Sequence, residues 1–137
     1  MPLTLEEAQT VIAGAHEHAN QLGVRVAIAI VDEGGYLQAL GRMDGAAPLS
    51  SQIAEAKAVG AAVWHRDGDA LREIQQSRSA FFAQVDRMVR LPMIPGPGSV
   101  LIRRGGAVLG AVGISGALPD QDRECAEAGL RSVDDAG

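Results

Sequence analysis

The feature that most restricts the fold is a nearly all-apolar, β-branch-rich run at residues 24–31, broken only by Arg25 and closed by Asp32-Glu33-Gly34-Gly35. Such a run reads as a central strand covered on both faces. The four residues after it tolerate positive φ, so residues 36–43 are predicted to return as an antiparallel partner through a tight turn. A second hairpin is predicted from residues 100–103, the Arg104-Gly105-Gly106 turn and a long inner strand at residues 107–115. Gly110 and Gly113 inside that strand imply close backbone approach by a helix, a subunit or a ligand.

Helical patterning fills the spaces between the hairpins. Leu5, Ala8, Ile12, Ala15, Ala19 and Leu22 recur at spacings of three and four, with Thr4 and Glu7 in the form of a capping box and Gly23 at a left-handed C-terminal cap. Pro48 suits the first turn of a helix over residues 49–65, whose broad face carries Leu49, Ile53, Ala56, Gly60, Val63 and Trp64. A shorter helix is expected at residues 70–76. Ser77 or Ser79 could cap another carrying Phe81, Phe82, Val85 and Met88. Residues 91–98 hold three prolines and two glycines and form a structured loop. A last helix starts near Pro119, with Asp120 and Asp122 in its first turn, where negative charge suits the helix dipole. The order helix, hairpin, two or three helices, hairpin, helix gives an α+β class with an antiparallel sheet.

The chain has 137 residues, which predicts one domain over 1–137 with an autonomous core. Its net charge of -5 argues against nucleic acid and against an anionic membrane surface as partners. No run of apolar residues is long enough to span a bilayer. The single cysteine, Cys125, cannot form an internal disulfide, and no charged-apolar leader precedes Thr4, so a cytoplasmic location is expected. With only one Trp, one Tyr and two Phe, the core must be aliphatic and small-residue. The Ala- and Gly-rich faces of the second helix and of residues 107–115 leave more close-packing surface than one small domain needs, which predicts a homo-oligomer.

The chemistry-bearing cluster read from the residues is Arg42, Asp44 and Lys57. Lys57 is the only lysine, and its helical neighbours Ile53, Ala54, Gly60 and Ala61 include no acid. A partner must come from elsewhere, and Asp44 is the nearest by topology. Arg42 beside it could grip a carboxylate bidentately. The alternative is a structural ion cluster that fixes strand to helix. Gly98, Ser115 and Gly116 could supply backbone donors to an anion, or serve only packing and turns. Neither a dinucleotide fingerprint nor a P-loop lysine is present.

Across residues 3–130 the chain resembles the GlcG/HbpS family, also called the haem-degrading-domain family, which includes the C-terminal domain of PduO-type proteins. The stretches that carry the resemblance are Leu3-Thr4-Leu5-Glu6-Glu7-Ala8, Ala29-Ile30-Val31-Asp32-Glu33-Gly34-Gly35, Arg42-Met43-Asp44-Gly45-Ala46, Ala56-Lys57-Ala58, and Leu109-Gly110-Ala111-Val112-Gly113-Ile114-Ser115-Gly116 followed by Asp120-Gln121-Asp122. Gly98-Ser99-Val100-Leu101 departs from the family's usual Gly-Gly-hydrophobic-Pro strand opening.

The resemblance implies a profilin-like α/β sandwich with a five-stranded antiparallel sheet flanked by helices, and homo-oligomers. It also implies a small-molecule-binding protein with haem as the leading ligand, in a family some of whose members sit in catabolic operons. Haem needs an axial donor, and His16, His18, His65, Tyr36, Met43, Met88, Met93 and Cys125 are the candidates. His16 and His18 are the cofactor-binding pair of that reading. At about 100° per residue they lie on opposite flanks of the first helix, so they cannot share one metal, and no metal site is predicted. The alternative function is a cofactor-independent enzyme acting on a small carboxylate or aromatic acid. There Arg42, Gly98, Ser115 and Gly116 would bind substrate, and Asp44 or Lys57 would move the proton. A third is a structural oligomer that supports a neighbouring enzyme.

Overall fold

The structure, a computed structural model, describes residues 2–136. It opens on α1 (Leu5–Leu22), followed by the hairpin β1 (Ala27–Asp32) and β2 (Leu37–Arg42). Three helices come next: α2 (Leu49–Trp64), α3 (Gly68–Ser77) and α4 (Ser79–Asp86). The chain ends with the hairpin β3 (Ser99–Arg104) and β4 (Ala107–Ser115), then α5 (Pro119–Ala136). The sheet is antiparallel in the order β2-β1-β4-β3. Among the described residues it has four strands, so the five-stranded sheet implied by the family resemblance is corrected here.

The capping box at α1 forms as its spacing predicts. The Thr4 hydroxyl accepts from the Glu7 backbone N–H at 3.0 Å, and the Thr4 N–H donates to Glu7 Oε1 at 3.0 Å. Gly23 ends the helix in the left-handed region (φ 75). The same cap shortens the first strand, which starts at Ala27 rather than residue 24. The Val24 N–H donates back to the Ala19 carbonyl at 3.0 Å, so Val24 belongs to the helix end. The expected serine cap on α4 is also absent: Arg78 occupies the cap position with no side-chain bond. The Ser77 hydroxyl instead reaches the Ile74 carbonyl.

The strands sort their side chains by size. Ile28, Ile30, Val112 and Ile114 face α1 and α5 in one core. Ala27, Ala29, Val31 and Ala111 face α2, which answers with Ala54, Ala58, Ala61 and Ala62. Small residues on both partners let the helix lie directly on the sheet. At Gly113 a Cβ atom would collide with the Ala54 carbonyl and, at 2.7 Å, with the Ala58 nitrogen. The close approach predicted at Gly113 is therefore made by a helix. The small-residue faces of α2 and β4 cover one another, so they are no longer free surface from which to argue for an oligomer.

The α3–α4 segment closes the α2 side. Leu71, Phe82 and Met93 are buried there, and Trp64 stacks on Phe82 at 5.6 Å with Phe81 edge-on at 6.2 Å. No described helix is long and apolar enough to cross a membrane.

Candidate functional site

Lys57 leaves α2 at the point where β4 runs into α5. Its Nζ donates to the Ile114 carbonyl at 2.8 Å and to Asp122 Oδ2 at 3.2 Å. The two side chains are only 12% and 4% exposed. The carboxylate that pairs with Lys57 is thus Asp122, and the expectation of Asp44 is corrected. Asp44 lies on the exposed turn after β2. In the sequence Asp122 reads as a dipole-complementing acid of a helix start and as part of the family resemblance; its link to Lys57 spans 65 residues and has no local signature. Its other oxygen accepts from the Ala117 N–H at 3.1 Å, which closes the turn into α5. Burial holds the Asp122 carboxyl above its ordinary pKa, opposed by the Lys57 charge and by hydrogen bonds from Lys57 and the Ala117 N–H.

Gly98 is folded over this pair. It has φ 109, and a Cβ there would lie 3.0 Å from both Lys57 Nζ and the Ile114 carbonyl. Ser115 is buried opposite Ala27 in the sheet, and Gly116 (φ 131) abuts the Arg25 carbonyl. Gly98 thus abuts the Lys57 ammonium and the Ile114 carbonyl, and Gly116 abuts the Arg25 carbonyl.

A different grouping forms at the other side of the sheet, where α1 crosses the β2 edge. Ile12, His16, Ile28, Gly41, Arg42 and Met43 line a cavity of ≈ 70 Å³. Gly41 keeps it open: a Cβ at that position would stand 3.2 Å from Ile12 Cγ2. Arg42 ends β2 and curls around the Asp44 turn, its Nη1 donating to the Ala46 carbonyl at 3.1 Å. No carboxylate pairs with it among the described residues. Of the residues singled out from the sequence, His16 and Arg42 both border it, but Arg42 pairs with Ala27, so its side chain leaves the strand on the α2 face and is not brought to His16. Gly41 and Ile12, which shape the space, carried no signal beyond a strand glycine and a helical apolar position.

His18 is directed elsewhere, as the helical geometry requires. Its Nε2 lies 3.3 Å from Glu124 Oε2 on α5, in a polar groove with Gly14, Glu17 and Arg131. The remaining donors divide by access. The Met43 sulfur accepts from the Val26 N–H at 3.4 Å inside the core. Met93 and Cys125 are buried, and burial pushes the Cys125 thiol from 9.0 to about 11, with the Asp122 and Glu124 charges adding to the rise. Tyr36 is exposed beneath the Arg90 guanidinium, 5.5 Å from its ring centre. Met88 and His65 are exposed, His65 as the left-handed cap of α2 (φ 54). No set of three or more metal-ligating side chains exists among the described residues.

Similarity to known proteins bears on this arrangement. Protein GlcG of Escherichia coli strain K12 is 35% identical over 115 residues, 82% of this chain and 81% of that protein. A crystal structure of a PduOC:heme complex superposes with a TM-score of 0.86 at 26% identity, covering 96% of this chain and 95% of the other. The crystal structure of HbpS superposes with a TM-score of 0.85 at 29% identity, covering 96% and 89%. The family model for the haem-degrading protein HbpS-like proteins matches residues 3–131. A match over nearly the whole described chain, supported by relatives that share both sequence and sheet architecture, makes this chain a member of the HbpS-like family.

Proposed function

We propose that the chain is a small-molecule-binding protein whose ligand is haem, held where α1 meets the edge of β2. The observation that carries the reading is the exposed His16 imidazole on the wall of an apolar cavity with Ile12 and Ile28. The donor chemistry fits haem at one point: His16 is an exposed imidazole. Bound haem would supply a redox-active iron and its absorption band. The neighbouring fold in a PduOC:heme complex supports the ligand class.

A cavity of ≈ 70 Å³ is far smaller than a porphyrin. His16, exposed beside it, would hold haem at the surface of the chain, and we propose that the holoprotein is a homo-oligomer. Lys57 takes a structural role in this account, its ammonium being committed to Asp122 and the Ile114 carbonyl.

Absorbance titration with haemin tests the reading. The expected result is a saturable Soret shift that weakens at least tenfold in His16→Ala and survives in His18→Ala. A spectrum of free haemin with the wild-type protein, or an unchanged affinity in His16→Ala, would overturn it.

A further inference from the structure

The two edges of the sheet differ in how they are closed. β3 ends one side. The Ile114 N–H bonds to the Gly98 carbonyl, so by alternation Val100 and Ile102 turn their backbone groups toward β4 and Leu101 turns its own outward. Asp67 Oδ1 accepts from that outward Leu101 N–H at 2.9 Å, and Arg103 and Arg104 end the strand with charge. A side-chain acceptor on the ladder and charge at its end keep a second strand away. β2 ends the other side. The Met43 N–H bonds to the Val26 carbonyl, so Gly41 and Ala39 face β1, while the backbone groups of Leu40 and Arg42 face outward with no strand beside them among the described residues.

This open edge is apolar on its α2 face. α2 lies over Ala27, Ala29 and Val31, one strand further in. Leu37 and Leu40, opposite Val31 and Ala29, are left 46% and 38% exposed, and the exposed Val63 continues the strip beside Gly35. The two ends of the hairpin carry opposite charge. Arg25 and Arg42 stand at one end with Asp44; at the other, Asp32 and Glu33 form the turn, beside the ion-paired Arg90 and Glu55. Two copies of β2 laid antiparallel bring the arginine end of each to the acidic turn of the other. A strand that complements itself in this way fits a two-fold axis. We infer that β2 is the surface on which a second copy of the chain seats, the two strands pairing antiparallel about a two-fold axis near Leu40 and joining their sheets. The inference deepens the proposed homo-oligomer, on which it rests, and is independent of haem.

Light scattering and amide hydrogen exchange on the haem-free protein test it. The wild type should have the mass of a dimer or of an even multiple, with the Leu40 and Arg42 amides protected. Leu40→Lys sets like charges across the axis from an exposed position, so it should keep the wild-type circular dichroism, raise the dissociation constant about tenfold or more, and free those amides. Arg42→Glu should weaken assembly too, and Arg42→Glu combined with Glu33→Arg should restore it. That charge swap decides the matter even where Leu40→Lys does not fold. Leu118→Lys, exposed just before α5, should leave the mass unchanged. A monomeric wild type without haemin would refute this interface, and the mass of the haem-bound protein would then decide the homo-oligomer separately. An oligomer that survives both Leu40→Lys and Arg42→Glu would refute the interface while the homo-oligomer reading stands.

Discussion

At the scale of single residues, Lys57 ties three elements together through two bonds, to β4 at Ile114 and to α5 at Asp122. Its removal leaves a buried carboxylate without its cation, so Lys57→Met should lose about 3 kcal/mol in urea unfolding. The loss should depend on pH. Burial raises the Asp122 pKa above its unfolded value, so the native state holds that proton more tightly. The contribution of this group favours folding below the unfolded value and is lost as pH rises through the native one. Lys57 offsets that loss. Without it the native pKa climbs further, and the deficit of the variant should be smallest in acid and grow toward neutral pH. A deficit that does not vary with pH would mean the pair is not the source. That Lys57 needs a distant partner was legible in its helix, whose positions three and four away hold no acid. Which acid it meets was not, because Asp44 and Asp122 are equally plain in sequence and only the packing of β4 against α2 chooses between them.

At the scale of elements, local chemistry was readable and tertiary placement was not. The α1 start follows from Thr4 and Glu7 alone, since both bonds lie within one turn. Thr4→Ala should cost about 1 kcal/mol. The bond from the Thr4 backbone N–H lowers the Glu7 carboxyl, with the Thr4 hydroxyl bond and the Arg104 charge adding to the effect against some desolvation. Its contribution is present above the unfolded value and lost as pH falls through the native one. Glu7→Gln should therefore flatten the acid side of the stability profile. The Ser77 or Ser79 cap failed because Arg78 joins two helices with no extended residue of the kind a serine cap requires. Gly113 signalled close approach without saying by what. α2 occupies that place, so Gly113→Ala should force its backbone off the sheet, with a loss of about 1–3 kcal/mol in chemical denaturation.

At the scale of the whole molecule, the two hairpins and their flanking helices sandwich a four-stranded sheet whose faces differ. The aliphatic face builds the α1–α5 core that contains Cys125, and the small-residue face takes α2. The Cys125 thiol, raised to about 11, contributes stability that is present below 9.0 and lost as pH rises through the native value. Native protein should react with a disulfide reagent only as fast as it opens. The proposed ligand-binding edge lies on the aliphatic side, where α1 crosses β2. The central claim is that His16 presents an imidazole to haem at this edge. The most direct test is the absorption and electron paramagnetic resonance spectrum of the haemin complex of His16→Gly, recorded with and without added imidazole. The account predicts that the histidine-ligated signature of the wild type is lost in the variant and restored by imidazole, with His18→Ala indistinguishable from wild type. A His16→Gly complex that keeps the wild-type spectrum without imidazole would contradict it.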